Sequence, residues 1–348
     1  MMTTKSKLTV LVAATIVVHL AWLPTPLCGQ TKQTVYQFTS IVSSARAAAL
    51  GGVPLAIAEP DIALAAINPA LLCRQVEHQL SVDYTNYVAG ISLGHVTYTF
   101  SDSRIPGTMA AGLQYLNGGI NTRYDVYGNE AGKFSSNEFA FHLSYGRQFD
   151  SCFALGATVK PVLSFIGGYW SAGLLADVAA SYTSVNNRLA ASLLLRNMGS
   201  QITAYYDDYG NVPFEIQLAV SQLLEHAPFR ISVVLQHLQK YDLRAGTRNS
   251  AEAGSEVETD NATLPKFVDN ALRHCVFGVE MFPQKTLNLR IGFNYKRRQE
   301  LKLKNSPGLA GISLGAGLRL KRFNIEYAHA RYTLGGASNH ISLVIKNI

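Results

Sequence analysis

Past residue 23 this sequence has no apolar run long enough to cross a bilayer as a helix. Any membrane passage must then be made with strands, because lipid tolerates only helices and closed barrels, in which every backbone polar group is satisfied. Charge is also scarce. Asp, Glu, Lys and Arg make up 15% of the 348 residues, against about 25% in soluble domains. The formal charge is +7, and the loss of Lys5 and Lys7 with a leader would leave +5. That excess is too mild to imply nucleic acid, and no nucleic-acid motif accompanies it. There are four cysteines. Cys28 falls in the leader, and Cys73, Cys152 and Cys275 match no metal or redox spacing. Free thiols are favoured over a Cys73–Cys152 bridge, although both positions fall near one rim of the expected fold. Gly-x-Ser-x-Gly, the P-loop and His-Glu-x-x-His are all missing, which removes the common hydrolase, nucleotide and zinc-protease signatures. The nine histidines are scattered singly, and His142 and His237 read as strand residues rather than ligands. No enzyme activity, cofactor or metal is expected.

The N-terminus reads as a secretory signal peptide over residues 1–29. Lys5 and Lys7 precede an apolar stretch from Leu8 to Leu23, and Pro24-Thr25-Pro26 ends it. Leu27 is bulky where a lipobox has a small residue before its cysteine, so Cys28 is not read as a lipidation site.

From about Leu80 to the last residue runs a ladder of roughly fourteen amphipathic strands with period-two patterning. Phe214, Ile216, Leu218 and Val220 alternate with Glu215, Gln217, Ala219 and Ser221. Leu287, Leu289, Ile291, Phe293 and Tyr295 oppose Asn288, Arg290, Gly292, Asn294 and Lys296. Turns after even-numbered strands are tight: Asp150-Ser151, Asn186-Asn187, Glu225-His226-Ala227, Pro283-Gln284-Lys285 and Arg322. Segments after odd-numbered strands read as long loops: Asn117–Ser136, Gly199–Val212, Lys240–Arg273 and Arg298–Gly308. An even strand count with short turns at one end and long loops at the other describes an outer-membrane β-barrel integral to the cell envelope. The fold expected is all-β, a fourteen-stranded antiparallel transmembrane barrel over residues 80–348. Tyr84, Phe149, Phe165, Tyr169, Trp170, Tyr327 and Tyr332 near strand ends suit the interfacial aromatic girdles.

Residues 30–79 differ from the rest. An Ala-rich stretch, Ser43 to Leu50, ends at Gly51-Gly52, and Asp61 to Leu72 reads as helical, capped by Asp61 and broken at Asn68-Pro69. About fifty compact residues ahead of a barrel suggest a plug in the lumen. Glu138, Glu215, Arg230, Arg290, Arg319 and Glu326 are candidate lumen charges; both signs occur, so they can pair across a plugged interior. Tyr205, Tyr206 and Tyr209 flank Asp207-Asp208 in an outer loop and are the candidate partner-binding residues, since clustered tyrosines make good interface anchors.

Ser44-Ala45-Arg46, Ala49-Leu50-Gly51-Gly52, Asp61 and Asn68-Pro69-Ala70-Leu71-Leu72 resemble the N-terminal hatch signature of FadL-like barrels, with Asn68, Pro69 and Ala70 as the plug motif. Gly112-Leu113-Gln114-Tyr115, Leu143-Ser144-Tyr145-Gly146-Arg147, Leu195-Arg196-Asn197-Met198-Gly199 and His226-Ala227-Pro228-Phe229-Arg230 extend the likeness to the PorV/PorQ family of the type IX secretion system. The resemblance implies a fourteen-stranded barrel with an N-terminal plug and a non-enzymatic role in attaching exported cargo to the cell surface. The partners it implies are a PorZ-like surface protein, the sortase PorU and the barrel PorV. The competing expectation is a FadL-like transporter of hydrophobic small molecules, which needs an apolar pocket in the lumen. The polar inner faces favour the anchor.

Overall fold

The computed structural model describes residues 33–52, 55–206, 209–244, 265–301, 309–331 and 336–346. The leader, Asp207-Asp208, most of the Lys240–Arg273 loop and Tyr332 lie outside the described residues. The compact unit starts at Thr34.

Fourteen antiparallel strands close into a barrel. They are β1 (Gln79–Asn86), β2 (Ser92–Phe100), β3 (Thr108–Tyr124), β4 (Glu130–Gln148), β5 (Phe153–Ile166), β6 (Tyr169–Thr183), β7 (Leu189–Thr203), β8 (Glu215–Leu223), β9 (Phe229–Leu235), β10 (Cys275–Met281), β11 (Leu287–Asn294), β12 (Ile312–Arg319), β13 (Phe323–Arg331) and β14 (Ala337–Lys346). Each strand pairs with its sequence neighbours. The last closes on the first from Gln79↔Lys346 to Asn86↔Asn339, so the sheet has no terminal edge strand.

Alternation sets which side faces out. On β11, Leu287, Leu289 and Ile291 are exposed while Asn288 and Arg290 are buried. On β1, Val82 and Tyr84 point out, and Ser81, Asp83 and Thr85 point in. The apolar side therefore faces away from the barrel and the polar side lines it, the inverse of a soluble barrel.

The wall is uneven in height. β3 and β4 have 17 and 19 residues, whereas β9 and β10 have 7 each. At about 3.3 Å per residue and a tilt of about 40°, the tallest strand rises about 48 Å and the shortest about 18 Å, against an apolar band of about 25 Å. The tall side corrects the loop expected at Asn117–Ser136. After a register shift between Asn117 and Ile120, Ile120↔Ser135 and Thr122↔Lys133 continue the ladder, and only 125–129 turns. Asp125 holds that turn by accepting from the Tyr127 and Asn129 amides at 2.8 and 2.9 Å. The strand signal vanished there because both faces of a segment standing above the membrane are wetted, so it carries Asn, Thr, Arg and Lys on either side. For the same reason β7 runs on to Thr203, past the expected break at Gly199. Tyr295 does not end β11; it opens the helix α4 (Tyr295–Leu301), and α3 (Lys266–His274) precedes β10.

The lumen is filled by the residues ahead of β1. Helix α1 (Ala45–Ala49) is buried throughout. Helix α2 (Ile62–Ala65) starts at Asp61, whose side chain accepts from the Ala63 amide at 3.0 Å. A 3-10 turn, Pro69–Leu71, starts at Asn68, whose Oδ1 accepts from the Ala70 amide at 3.1 Å. Small residues are required where the plug backbone meets the wall. A Cβ on Gly156 would sit 2.2 Å from the Pro69 carbonyl carbon, and one on Gly292 would sit 2.1 Å from the Gly51 nitrogen.

Candidate functional site

Three arginines and four carboxylates close the centre of the lumen. Arg46 on α1 is fully buried. Its Nε and Nη2 donate to the two oxygens of Glu280 at 2.9 and 3.0 Å, and its Nη1 donates to Asp61 at 2.8 Å. Glu280, on β10, also accepts from Arg230 on β9 at 3.0 Å and from Arg290 on β11 at 2.8 Å. Arg290 reaches Glu326 on β13 at 2.9 Å, and Arg230 pairs with Glu59 of the plug. Each buried charge is thus compensated by partners of opposite sign, the condition for keeping ions out of water. The cluster ties the plug to adjacent strands on the low side of the wall. Of the expected lumen charges, Arg230, Arg290 and Glu326 meet here, whereas Glu138 accepts from Ser164 and Glu215 pairs with His237 at 3.2 Å. Glu280, the hub, escaped the sequence reading, although Arg46 as a lone charge in an Ala-rich helix signalled a buried partner.

Two further contacts bind the plug to β14 and β2, the strands on either side of β1. The Ala45 amide donates to Ser342 at 2.8 Å, and Ser342 also bonds Asp83. Ser43 meets His95 at 3.2 Å, and the His95 and His142 rings lie 4.8 Å apart. Towards the tall side the lumen has an apolar patch of Leu93, Leu116, Ala140, Val162 and Leu175, covered by the chain's own Tyr36 and Phe38. At the turn end, a cleft of about 660 Å³ opens between the plug and the wall, lined by Leu72, Cys73, Arg147 and Cys152 among others. Both cysteines are free thiols.

The plug motif sits at the seat of the 3-10 turn. Asn68 is fully buried and its Nδ2 donates to the Leu55 carbonyl at 2.8 Å. Pro69 lies against Gly146 and Gly156. The three tyrosines are divided. Tyr205 turns into the barrel mouth and donates to Ser164 at 2.6 Å, and burial pushes its hydroxyl up to about 12. Tyr206 is 76% exposed and Tyr209 half-exposed, with Tyr206 edge-on to Tyr169 at 6.4 Å. Among the described residues no three His, Cys, Asp or Glu side chains converge as metal ligands.

No family model and no curated protein matches the chain. Solved structures do. A CymD monoaromatic hydrocarbon channel aligns with a TM-score of 0.51 at 11% identity, over 87% of this chain and 96% of that one. The Pseudomonas putida toluene transporter TodX aligns at 0.50 and 13%, over 90% and 97%. A TodX variant described as a monoaromatic hydrocarbon channel aligns at 0.53 and 13%, over 89% and 98%. At such identity the likeness is one of fold, a closed fourteen-stranded antiparallel barrel, and its outward apolar side is that of a barrel integral to the outer membrane.

Proposed function

We propose that this chain is a non-enzymatic outer-membrane barrel that acts through its loop end, as an anchor for a cell-surface protein complex. The observation that carries this is the plug ion-paired into the lumen. Arg46 of the plug is ion-paired to Glu280 of the wall and Glu59 of the plug to Arg230 of the wall, while Asp61 holds Arg46 from within the plug, which leaves the work to the outer surface. There the tall wall presents Tyr127, 86% exposed, together with Tyr206 and Tyr209, aromatic groups of the kind that anchor protein interfaces. The hatch motif and the PorV/PorQ resemblance specify the role further as attachment of exported cargo in type IX secretion, with a PorZ-like protein as first partner and PorU and PorV beyond it. No comparison supports that specific role.

The comparisons favour a second reading, an outer-membrane channel for small hydrophobic molecules. Its structural support is the apolar lumen patch, which Tyr36 and Phe38 occupy and a small aromatic molecule would suit. One pair of assays separates the two. Cells lacking the gene are scored for retention of secreted cargo on their surface and for uptake of labelled toluene. The anchor predicts lost cargo with unchanged uptake, and Tyr206→Ala/Tyr209→Ala should release the partner while the barrel stays in the membrane. Normal cargo with reduced uptake overturns the anchor in favour of the channel.

A further inference from the structure

Helix α3 is amphipathic in the wrong sense for a helix on a wet surface. Such a helix turns its apolar stripe to the protein and its charges to water. Here Asp269 and Arg273 are buried, while Phe267 is 74% exposed and Val268 and Ala271 are exposed beside it. The inward polar face is bonded through Asp269, Asn270 and the Arg273 Nε. Asp269 accepts from Arg273 at 2.9 Å and from the Tyr295 hydroxyl at 2.8 Å, and faces Arg244 at 3.4 Å. Asn270 donates to the Tyr241 carbonyl at 2.6 Å and accepts from the Leu243 amide at 3.0 Å. The orientation is therefore fixed by bonds rather than left free.

The helix stands where the wall is lowest. β9 and β10 rise only about 18 Å, some 7 Å less than the apolar band. An α-helix about 10 Å across makes up that difference. α3 also leads directly into β10, whose outward row is Cys275, Phe277 and Val279. The Cys275 thiol bonds the Ala271 carbonyl at 3.4 Å, so the exposed face of the helix continues the lipid-facing row of the strand. Lys266, at the exposed end, has an aliphatic stem that can lie along lipid while its ammonium reaches phosphate.

We propose that α3 is an interfacial helix seated in the outer leaflet, with Phe267, Val268 and Ala271 in lipid, completing the apolar belt that β9 and β10 are too short to supply. This holds for either reading of the barrel's function. The occupant is lipid, not a protein, because the face is continuous with a surface already in lipid.

The test places a nitroxide at Val268 in the full chain with its cysteines replaced by serine, reconstituted in phosphatidylcholine vesicles. The same label at Phe277 reports lipid, and at Tyr127 it reports water. Collision with oxygen and with a water-soluble nickel chelate is measured by electron paramagnetic resonance. The expected oxygen-to-nickel ratio at 268 groups with 277 and exceeds that at 127 several-fold. A ratio like that at 127, or shielding from both reagents, overturns the proposal. A second measurement needs no label: Phe267→Asp/Val268→Asp should lower the folded fraction in vesicles, whereas Tyr127→Asp should not. Equal folding of the two variants also overturns it.

Discussion

Glu280→Gln is the sharpest perturbation the lumen offers. The carboxylate is buried and accepts four charge-assisted hydrogen bonds at 2.8 to 3.0 Å, two from Arg46 and one each from Arg230 and Arg290. The amide keeps the shape, but it loses the charge that compensates three guanidiniums and turns one acceptor into a donor facing them. Breaking a buried pair from one side costs about 3–5 kcal/mol, less than four separate bonds would sum to, because Asp61, Glu59 and Glu326 remain to share the arginines. At about 1.36 kcal/mol per tenfold, that range of about 3–5 kcal/mol should make local opening of the plug roughly two to nearly four orders of magnitude more frequent. Amide hydrogen exchange on the protein in lipid nanodiscs reads this directly. Protection should fall by that factor at 45–50 and 62–68 and stay unchanged across β3–β7. Steady conductance is not expected, since Leu50, Leu55, Ile62 and Leu64 remain packed in the lumen. Plug exchange within about threefold of wild type, under 1 kcal/mol on the same scale, would refute the reasoning and assign the hold of the plug to apolar packing.

Gly156→Leu should unseat the 3-10 turn, because its Cβ meets Pro69 at 2.2 Å; protease should then reach 69–76, whereas Ala157→Leu, on the lipid side, should change nothing. Asp269 is nudged up by burial but held below the usual carboxylate range by the Tyr295 hydroxyl and Arg273. A depressed carboxylate stabilises at pH above its unfolded value, so exchange protection of α3 should be flat from neutral pH to about 4 and fall below that; Asp269→Asn should remove the pH dependence and lower protection throughout. The unboiled barrel should migrate faster than the boiled one in detergent gels, and Leu343→Pro should abolish the difference. Leu343 pairs with both Val82 and Ile325, and proline cannot donate to the ladder.

Much of the fold is written in the chain at short range. The alternation of Leu287, Leu289 and Ile291 with Asn288 and Arg290 needs only a strand and a lipid face to be read, and the even count and two classes of connection follow from the same pattern. Asp61 announces its cap because a capping side chain bonds an amide two residues away, and Asn68-Pro69 announces the break, where Asn68 caps the following 3-10 turn in the same way. Where water wets both faces the signal fails: Ile120–Tyr124 and its partner read as loop, although they pair as strands through two register shifts. The charge cluster lies beyond sequence for a different reason. Arg46 and Glu280 are separated by 234 residues, and nothing local in the strand Cys275–Met281 distinguishes a carboxylate that faces three arginines from one that faces water. The division of Tyr205 from Tyr206 and the outward turn of Phe267 were likewise decided by tertiary contacts, with Ser164 for the one and with Arg244 and Tyr295 for the other. The sequence by itself determined that a barrel forms, which faces its strands present, and that a small-residue segment fills it. Only closure of the barrel could decide which charges meet, how high each side of the wall stands, and which aromatic groups remain outside, because those depend on register accumulated around fourteen strands.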